Sequence, residues 1–445
     1  VERPLPIRIH PKRRPQLVAA IAKALQAAKV DGLLVDYDSL EGLDAAEDVL
    51  KEEVVELKKY ISEDRPLAWF AFGFIMRMVK HRDFAPQGDK LLSQIAEAPP
   101  LPQLAEQIVL ALEALPTDYA VSVALPPAID NPIIDGGPWS IGSNASIAKG
   151  QPFKSRLPVE PSDQSDPFQL YASRLFGGAP YQPDAAHLTV FVRGHLEYFS
   201  TQGPTYQAAD HAIRTFFGLA LVFGAVVYRA RSIQPAPVDA YVHACRLQPA
   251  QPVLKFTLNT STSRAIQHLY LAEPPNGWAA KASWPSLAGG RSGQIGLVLD
   301  HPRAERLRRA ARWHFDGHGA DNVLMGYLQA MICLEILLGE PDPNKRDLSV
   351  GAMLRNRCAY LIGSDLEERD EILAKLKDIY DVRSEIVHNG LGTLSSHQRN
   401  LLATLRWYCS RVMAAEARRL PASGSALDVT RPEPEPEGSV TGGAD

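Results

Sequence analysis

The sequence predicts an α+β protein of several domains, with a helical N-terminal region, a mixed α/β or β-rich middle and an all-α C-terminal bundle. Three observations predict it. Apolar residues recur at three- and four-residue spacing up to about residue 117 and again beyond residue 300, the period of an amphipathic helix. Between those limits, short alternating apolar stretches are separated by Gly- and Pro-rich segments such as Pro132–Pro138, the pattern of strands and turns. A chain of 445 residues is also too long for one ordinary core, so roughly two or three domains are expected.

In residues 1–117 the spacing predicts helices over Gln16–Lys29, Leu43–Ser62, Leu67–Val79 and Leu104–Leu115, with an extended piece at Gly32–Asp36. In residues 118–300 it predicts strands at Tyr119–Leu125, His187–Val192, Tyr241–Leu247 and Ile295–Leu299, crossed by one helix, Tyr206–Tyr228. From residue 301 to 420 the pattern is helical throughout. Asp300 reads as an N-cap with Pro302 in the first turn after it, a residue suited to a helix start. Four further helices follow: Asn322–Leu338, Val350–Ile362, Glu367–Asn389 and Ser395–Leu420. Ser364 and Glu367 form a capping-box pattern. Short connections make successive helices antiparallel. Residues 421–445 are rich in Pro, Glu, Ser and Gly, and predict a disordered tail.

Composition narrows the function classes. The net charge is only -4, so nucleic acid would have to be met by a local basic patch rather than a global field. The most apolar run, Thr215–Tyr228, is shorter than the ~20 residues that span a bilayer, and Arg214 and Arg229 flank it. It reads as a buried helix. Lys23 and Lys29 interrupt the N-terminal apolar stretch at helical spacing, which favours an amphipathic helix over a signal peptide. A cytoplasmic protein with no membrane contact is expected.

The segment Ile379–Gly390, IYDVRSEIVHNG, sets Arg383 five positions before His388 near the end of a helix. Arginine fixes phosphate through a planar fork of donors, and histidine moves protons near neutral pH. On an ideal helix five residues rotate by about 500°, which leaves the two roughly 140° apart. They converge only if arginine swings around the helix and Asn389-Gly390 stops it, placing His388 in the last turn. The competing reading pairs Arg383 with Asp378, Glu385 or another surface carboxylate and makes His388 an ordinary capping residue.

Other features read more plainly. Arg303, Arg306, Arg308, Arg309 and Arg312 crowd one helix with Glu305 as the sole acid among them. They form a phosphate-tracking surface, a solvated helix face or a contact with the middle region. Glu335 lies in the apolar run MICLEILLG, with Arg355 and Arg357 as its natural partners. His314 and His318 fall in HFDGHGADN, which reads as an interhelical loop, so no metal site is expected. Cys245, Cys333, Cys358 and Cys409 make no C-x-x-C pair and read as buried reduced thiols. His187, His195, His211 and His243 read as structural. GGRSG, Gly289–Gly293, reads as a flexible loop with no P-loop lysine after it. No cofactor is expected.

From about Pro302 to Leu420 the chain resembles the HEPN superfamily of small helical bundles, and within it the Apea-like group. The resemblance rests on LQAMICLEILLG (Leu328–Gly339), LRNRCAYLIG (Leu354–Gly363) and IYDVRSEIVHNG, the last matching an R-x(4–6)-H signature. It implies that Arg383 and His388 are a ribonuclease pair, with the polar Ser384 and Asn389 in support. It further implies a homodimer that brings two motifs into one basic cleft. Many relatives of this kind are metal-independent endoribonucleases of toxin or anti-phage systems; others keep the fold without activity and serve in dimerisation or RNA binding. The chemistry fits the residues. RNA supplies its own nucleophile, the 2′-hydroxyl, so the enzyme need only move protons and stabilise charge at phosphorus. Residues 1–300 would sense a trigger or restrain the nuclease.

Overall fold

The computed structural model describes residues 6–31, 34–61, 64–81, 90–95, 98–126, 138–149, 185–196, 203–229, 241–246, 254–272, 284–339 and 350–421. The architecture is α+β, with small antiparallel sheets and a helical C-terminal region. Two buried apolar clusters organise it. One runs from Ile7 to Leu115. The other runs from Tyr119 to Ala417 and is shared by the middle strands and the C-terminal helices.

In the first part, helices α1 (Arg14–Ala24), α2 (Asp44–Leu50), α3 (Glu53–Lys58), α4 (Pro66–His81) and α5 (Leu101–Glu113) surround a three-stranded sheet. Its order is β2 (Leu34–Val35), β1 (Lys29–Asp31), β3 (Lys90–Leu91). The helix predicted over Leu43–Ser62 is broken in two, because Lys51 takes a left-handed φ of 53° between α2 and α3. The one predicted to reach Lys29 stops at Ala24, since Lys29 opens β1 and pairs with Leu91. The extended piece is present as β2, with Gly32 outside the described residues.

The middle is a six-stranded antiparallel sheet. Its order is β10 (Leu254–Thr257), β9 (Tyr241–Arg246), β4 (Thr117–Ala124), β7 (Ala186–Gly194), β6 (Ala145–Lys149), β5 (Trp139–Ile141). β4 is central, with Val121 opposite Val190 on one side and Ala244 on the other. Every residue from Tyr119 to Ala124 is buried, the signature of a strand covered on both faces. Helix α6 (Pro204–Val222) packs on this sheet. Phe217 of α6 stacks on Phe315 of the C-terminal region at 5.9 Å between ring centroids.

Four expectations for the middle and its end are corrected. The predicted helix Tyr206–Tyr228 ends at Val222. Gly224, with a φ of 65°, turns the chain, and the β-branched pair Val226-Val227 enters β8 (Val226–Tyr228) against β11 (Leu269–Leu271). Ile295–Leu299 is not a strand but the end of helix α8 (Trp284–Asp300), which follows α7 (Thr260–Gln267). Its buried positions Ile295 and Val298 have helical spacing. The GGRSG stretch is helical too, and Arg291 from it donates to the Gly224 carbonyl at 2.5 Å. Asp300 is not an N-cap. Its carboxylate accepts from the Ser143 N–H (2.6 Å), Ser143 Oγ (3.0 Å) and Asn144 Nδ2 (3.0 Å), so His301 caps the turn at Pro302 instead, through its Nδ1.

Five helices are found among the described residues of the C-terminal region: α9 (Glu305–Gly319), α10 (Val323–Leu338), α11 (Val350–Ile362), α12 (Leu366–His388) and α13 (Ser396–Arg418). Asn322 caps α10 through Leu324 N–H at 2.8 Å. Ser395 and Gln398 form a capping box on α13. The cap of α12 lies one residue beyond the predicted Ser364–Glu367 box. Asp365 accepts from the Glu368 N–H (2.8 Å) while Ser364 donates to Glu368 Oε2 (2.7 Å). Among the described residues, no helix is long and apolar enough to cross a membrane.

Glu368 also accepts from Arg411 at 2.5 Å, which with the Ser364 donors pulls its carboxyl down to about 2. A depressed carboxyl stabilises the fold above its unfolded value and loses that contribution as pH falls. Glu368→Gln is therefore expected to flatten the fall in melting temperature between about pH 4.5 and about pH 2. Thermal melts of the two proteins across that range check it.

Candidate functional site

The helix carrying the Arg383–His388 motif ends where the Asn-Gly pair predicts. His388 is the last helical residue, Asn389 is the C-cap, and Gly390 takes a left-handed φ of 65°. The Asn389 and Leu391 N–H groups both return to the Glu385 carbonyl, at 3.1 and 3.2 Å. Gln398 Nε2 donates to Glu385 Oε2 at 3.0 Å, tying this end to the first turn of α13. Ser384, His388 and Asn389 are all exposed. The exposed carbonyl end of a helix favours a nearby cation.

Arg383 is half-buried and does not turn to Asp378 or Glu385. Its Nε lies 3.9 Å from Glu335 Oε1 on α10, and its guanidinium sits 5.9 Å from the Tyr380 ring centroid. Glu335 thus has a different partner from the one expected. Arg357 donates instead to the Leu338 carbonyl at 2.7 Å, where it caps the end of α10. The Arg383–Glu335 contact is what sequence reasoning missed. The glutamate inside an apolar run was its signal, and only the helix packing selects which arginine answers it.

The five crowded arginines divide. Arg306 pairs with Glu416 at 3.0 Å. Arg308 donates to the carbonyls of Val298 (3.0 Å), Leu299 (3.2 Å) and His301 (2.9 Å), fixing the end of α8 against α9. Arg312 is half-buried beside His211, whose ionisation burial lowers, with the charge of Arg312 adding to the effect. Arg303 and Arg309 are exposed. Arg306 also lines an open cleft of about 420 Å³ with Asn356, Arg357, Tyr360, Glu416 and Arg419. Tyr360 is 74 % exposed there. This cleft shares no lining residue with the Arg383–Glu335 pair.

A second constellation is buried. The stretch expected to be a loop at His314–His318 is helical, so the two imidazoles stand one turn apart on α9 with ring centroids 4.8 Å apart. Burial holds both well below the ordinary histidine range, His314 at about 3. A ring nitrogen of His314 and the sulfurs of Cys333 and Cys409 lie within 4.8 Å of one another. Burial, then the neighbouring Cys333, pushes the Cys409 thiol up, while Arg406 pulls the other way. Arg406 donates to the Gly317 carbonyl. Cys333, Cys358 and Cys409 are buried as expected, and the Cys245 side chain lies outside the described residues. His187 and His195 are buried, His195 against Phe70 at 4.8 Å. The side chain of His243 lies outside the described residues.

No protein-family model, curated protein or solved structure matches the chain.

Proposed function

We propose that the chain is a metal-independent endoribonuclease of the HEPN kind, acting in the bacterial cytoplasm in an anti-phage or toxin setting, with Arg383 and His388 as its catalytic pair. The observation that carries this reading is the end of α12. The helix stops at His388, leaving the imidazole exposed, while Arg383 is braced by Glu335 from the neighbouring helix.

In this mechanism His388 takes the proton of the 2′-hydroxyl or gives one to the departing 5′-oxygen. Arg383 holds the non-bridging oxygens as charge develops at phosphorus. Two proton transfers ask for one base and one acid, and one motif offers one histidine. A symmetric dimer supplies the second. Val387, 47 % exposed beside His388, offers that dimer an apolar contact. The arginine-lined cleft with the exposed Tyr360 ring suits phosphates and a stacked base. Residues 1–300 would sense the trigger or restrain the nuclease.

A specific observation favours a second reading. With Glu335 at 3.9 Å, the charge of Arg383 is partly answered within the fold, as in a helical module that dimerises or binds RNA without cutting it. Product chemistry separates the two. The nuclease cuts RNA to leave 2′,3′-cyclic phosphate ends and leaves DNA of the same sequence intact, because DNA lacks the nucleophile. Binding of RNA with no cyclic phosphate product supports the second reading.

A further inference from the structure

The buried cluster at the junction of α9, α10 and α13 has the composition and hydrogen bonding of a metal site. Cys333 and Cys409 are fully buried, and His314 is 2 % exposed. These three come from three different helices and bring their donor atoms within 4.8 Å of one another. Two sulfurs and one imidazole nitrogen are the donor set that selects thiophilic d10 ions.

The hydrogen bonds of His314 point to the same conclusion independently. Ser410 Oγ lies 3.2 Å from the Arg406 carbonyl and 3.1 Å from His314 Nε2. With the hydroxyl donated to that carbonyl, it accepts from Nε2, and the imidazole lone pair is left on Nδ1. That Nδ1 is buried and has no hydrogen-bond partner. A buried ring nitrogen left without a partner is costly, and in metal-ligating histidines one nitrogen bonds to the protein while the other holds the ion.

We propose that His314, Cys333 and Cys409 form the core of a buried zinc site, with His318, one turn along the same helix, supplying the fourth ligand. On binding, each thiol loses its proton to solvent, and no oxidant or reductant is involved. Two thiolates and one divalent cation leave the closed shell neutral, which suits a core position. His314 and His318 at i and i+4 share one face of α9. Gly317 lies between them, and a side-chain carbon there would come within 3.3 Å of the Gly326 carbonyl and the Ala330 N–H of α10. The glycine lets that helix come close enough to deliver Cys333. The site's role is structural, since its three core ligands are buried and pin three helices. It departs from the metal-free expectation drawn from the sequence and is independent of the nuclease reading, whose residues it does not include.

The test uses the full chain without a histidine tag, grown with zinc and purified under reducing conditions. Elemental analysis after exhaustive dialysis is expected to find stoichiometric zinc, and growth with cobalt to give the thiolate-to-metal charge-transfer and d–d bands of tetrahedral Co(II). The cobalt spectrum needs no variant, so a misfolded mutant cannot obscure it. Cys333→Ser and Cys409→Ser are expected to lose the ion, and Cys358→Ser to keep it. Protein that holds no zinc and shows no thiolate band with cobalt overturns the proposal. So does an ion retained in both Cys333→Ser and Cys409→Ser.

Discussion

Arg214→Ala is expected to destabilise the protein by about 3–5 kcal/mol, the cost of breaking a buried ion pair from one side. Arg214 Nε lies 2.8 Å from Asp210 Oδ2 and Nη1 lies 3.3 Å from Asp316 Oδ1. Thr262 closes the network, accepting from Arg214 Nε at 2.7 Å and donating to Asp210 at 2.8 Å. Asp210 is 7 % exposed and Asp316 17 %. Without the guanidinium two carboxylates stay buried together, on helices α6 and α9 that join the middle sheet to the C-terminal region. Burial already pushes the Asp316 carboxyl up, against the pull of Arg214. In the variant it rises further, so the fold takes up a proton more readily than the unfolded chain. A raised carboxyl costs stability as pH rises, which makes the destabilisation larger at neutral pH than in mild acid. Denaturant melts at the two pH values read both effects. A loss below about 1 kcal/mol, the range of exposed pairs, would contradict this account of the network.

His388→Ala is expected to lower single-turnover RNA cleavage by about 10²–10⁴-fold, the usual contribution of a general acid or base. The melting temperature should stay in place, because the imidazole is exposed and Gly390 ends the helix without it. Arg383→Ala is expected to cost about 10²–10³-fold, the scale of removing one donor to a developing oxyanion. Arg383→Lys should recover little, because an ammonium cannot reproduce the planar fork. Glu335→Gln is informative in a different way. It keeps the shape beside Arg383 but removes the charge that braces it, so it should impair cleavage less than Arg383→Ala. A binding module would instead lose affinity or assembly in the arginine variants and show nothing in His388→Ala.

The helical C-terminal region was legible from its periodicity. Val350–Ile362 falls on the predicted bounds, and the helices predicted to open at Asn322 and Ser395 begin one residue later, with Asn322 and Ser395 as their caps. Two of the misreadings share one physical cause, which is that glycine has two uses. HFDGHGADN reads as a loop, yet Gly319 is helical and leaves room for Ala265, whose Cβ would lie 2.3 Å from a side-chain carbon there. GGRSG is likewise inside a helix. In both places glycine serves close approach or tolerates a helix, while at Gly224 and Gly390 it turns the chain. Ile295–Leu299 failed for another reason: so short an apolar run satisfies both periods. Of the site, the position of His388 at a helix end could be read from Asn389-Gly390. The Arg383–Glu335 contact and the His314–Cys333–Cys409 cluster could not. They join different helices, and their spacing along the chain carries no signature.

The most direct measurement is the rate at which the full chain, in EDTA, cuts a labelled single-stranded RNA, compared with the His388→Ala protein at equal concentration. A melt of each sample alongside shows that the fold survives the chelator. The account predicts cleavage by the wild-type chain that the chelator does not abolish and that the variant reduces by at least about 10²-fold. Equal rates in the two proteins, or no cleavage by a fully folded wild-type chain, would contradict it.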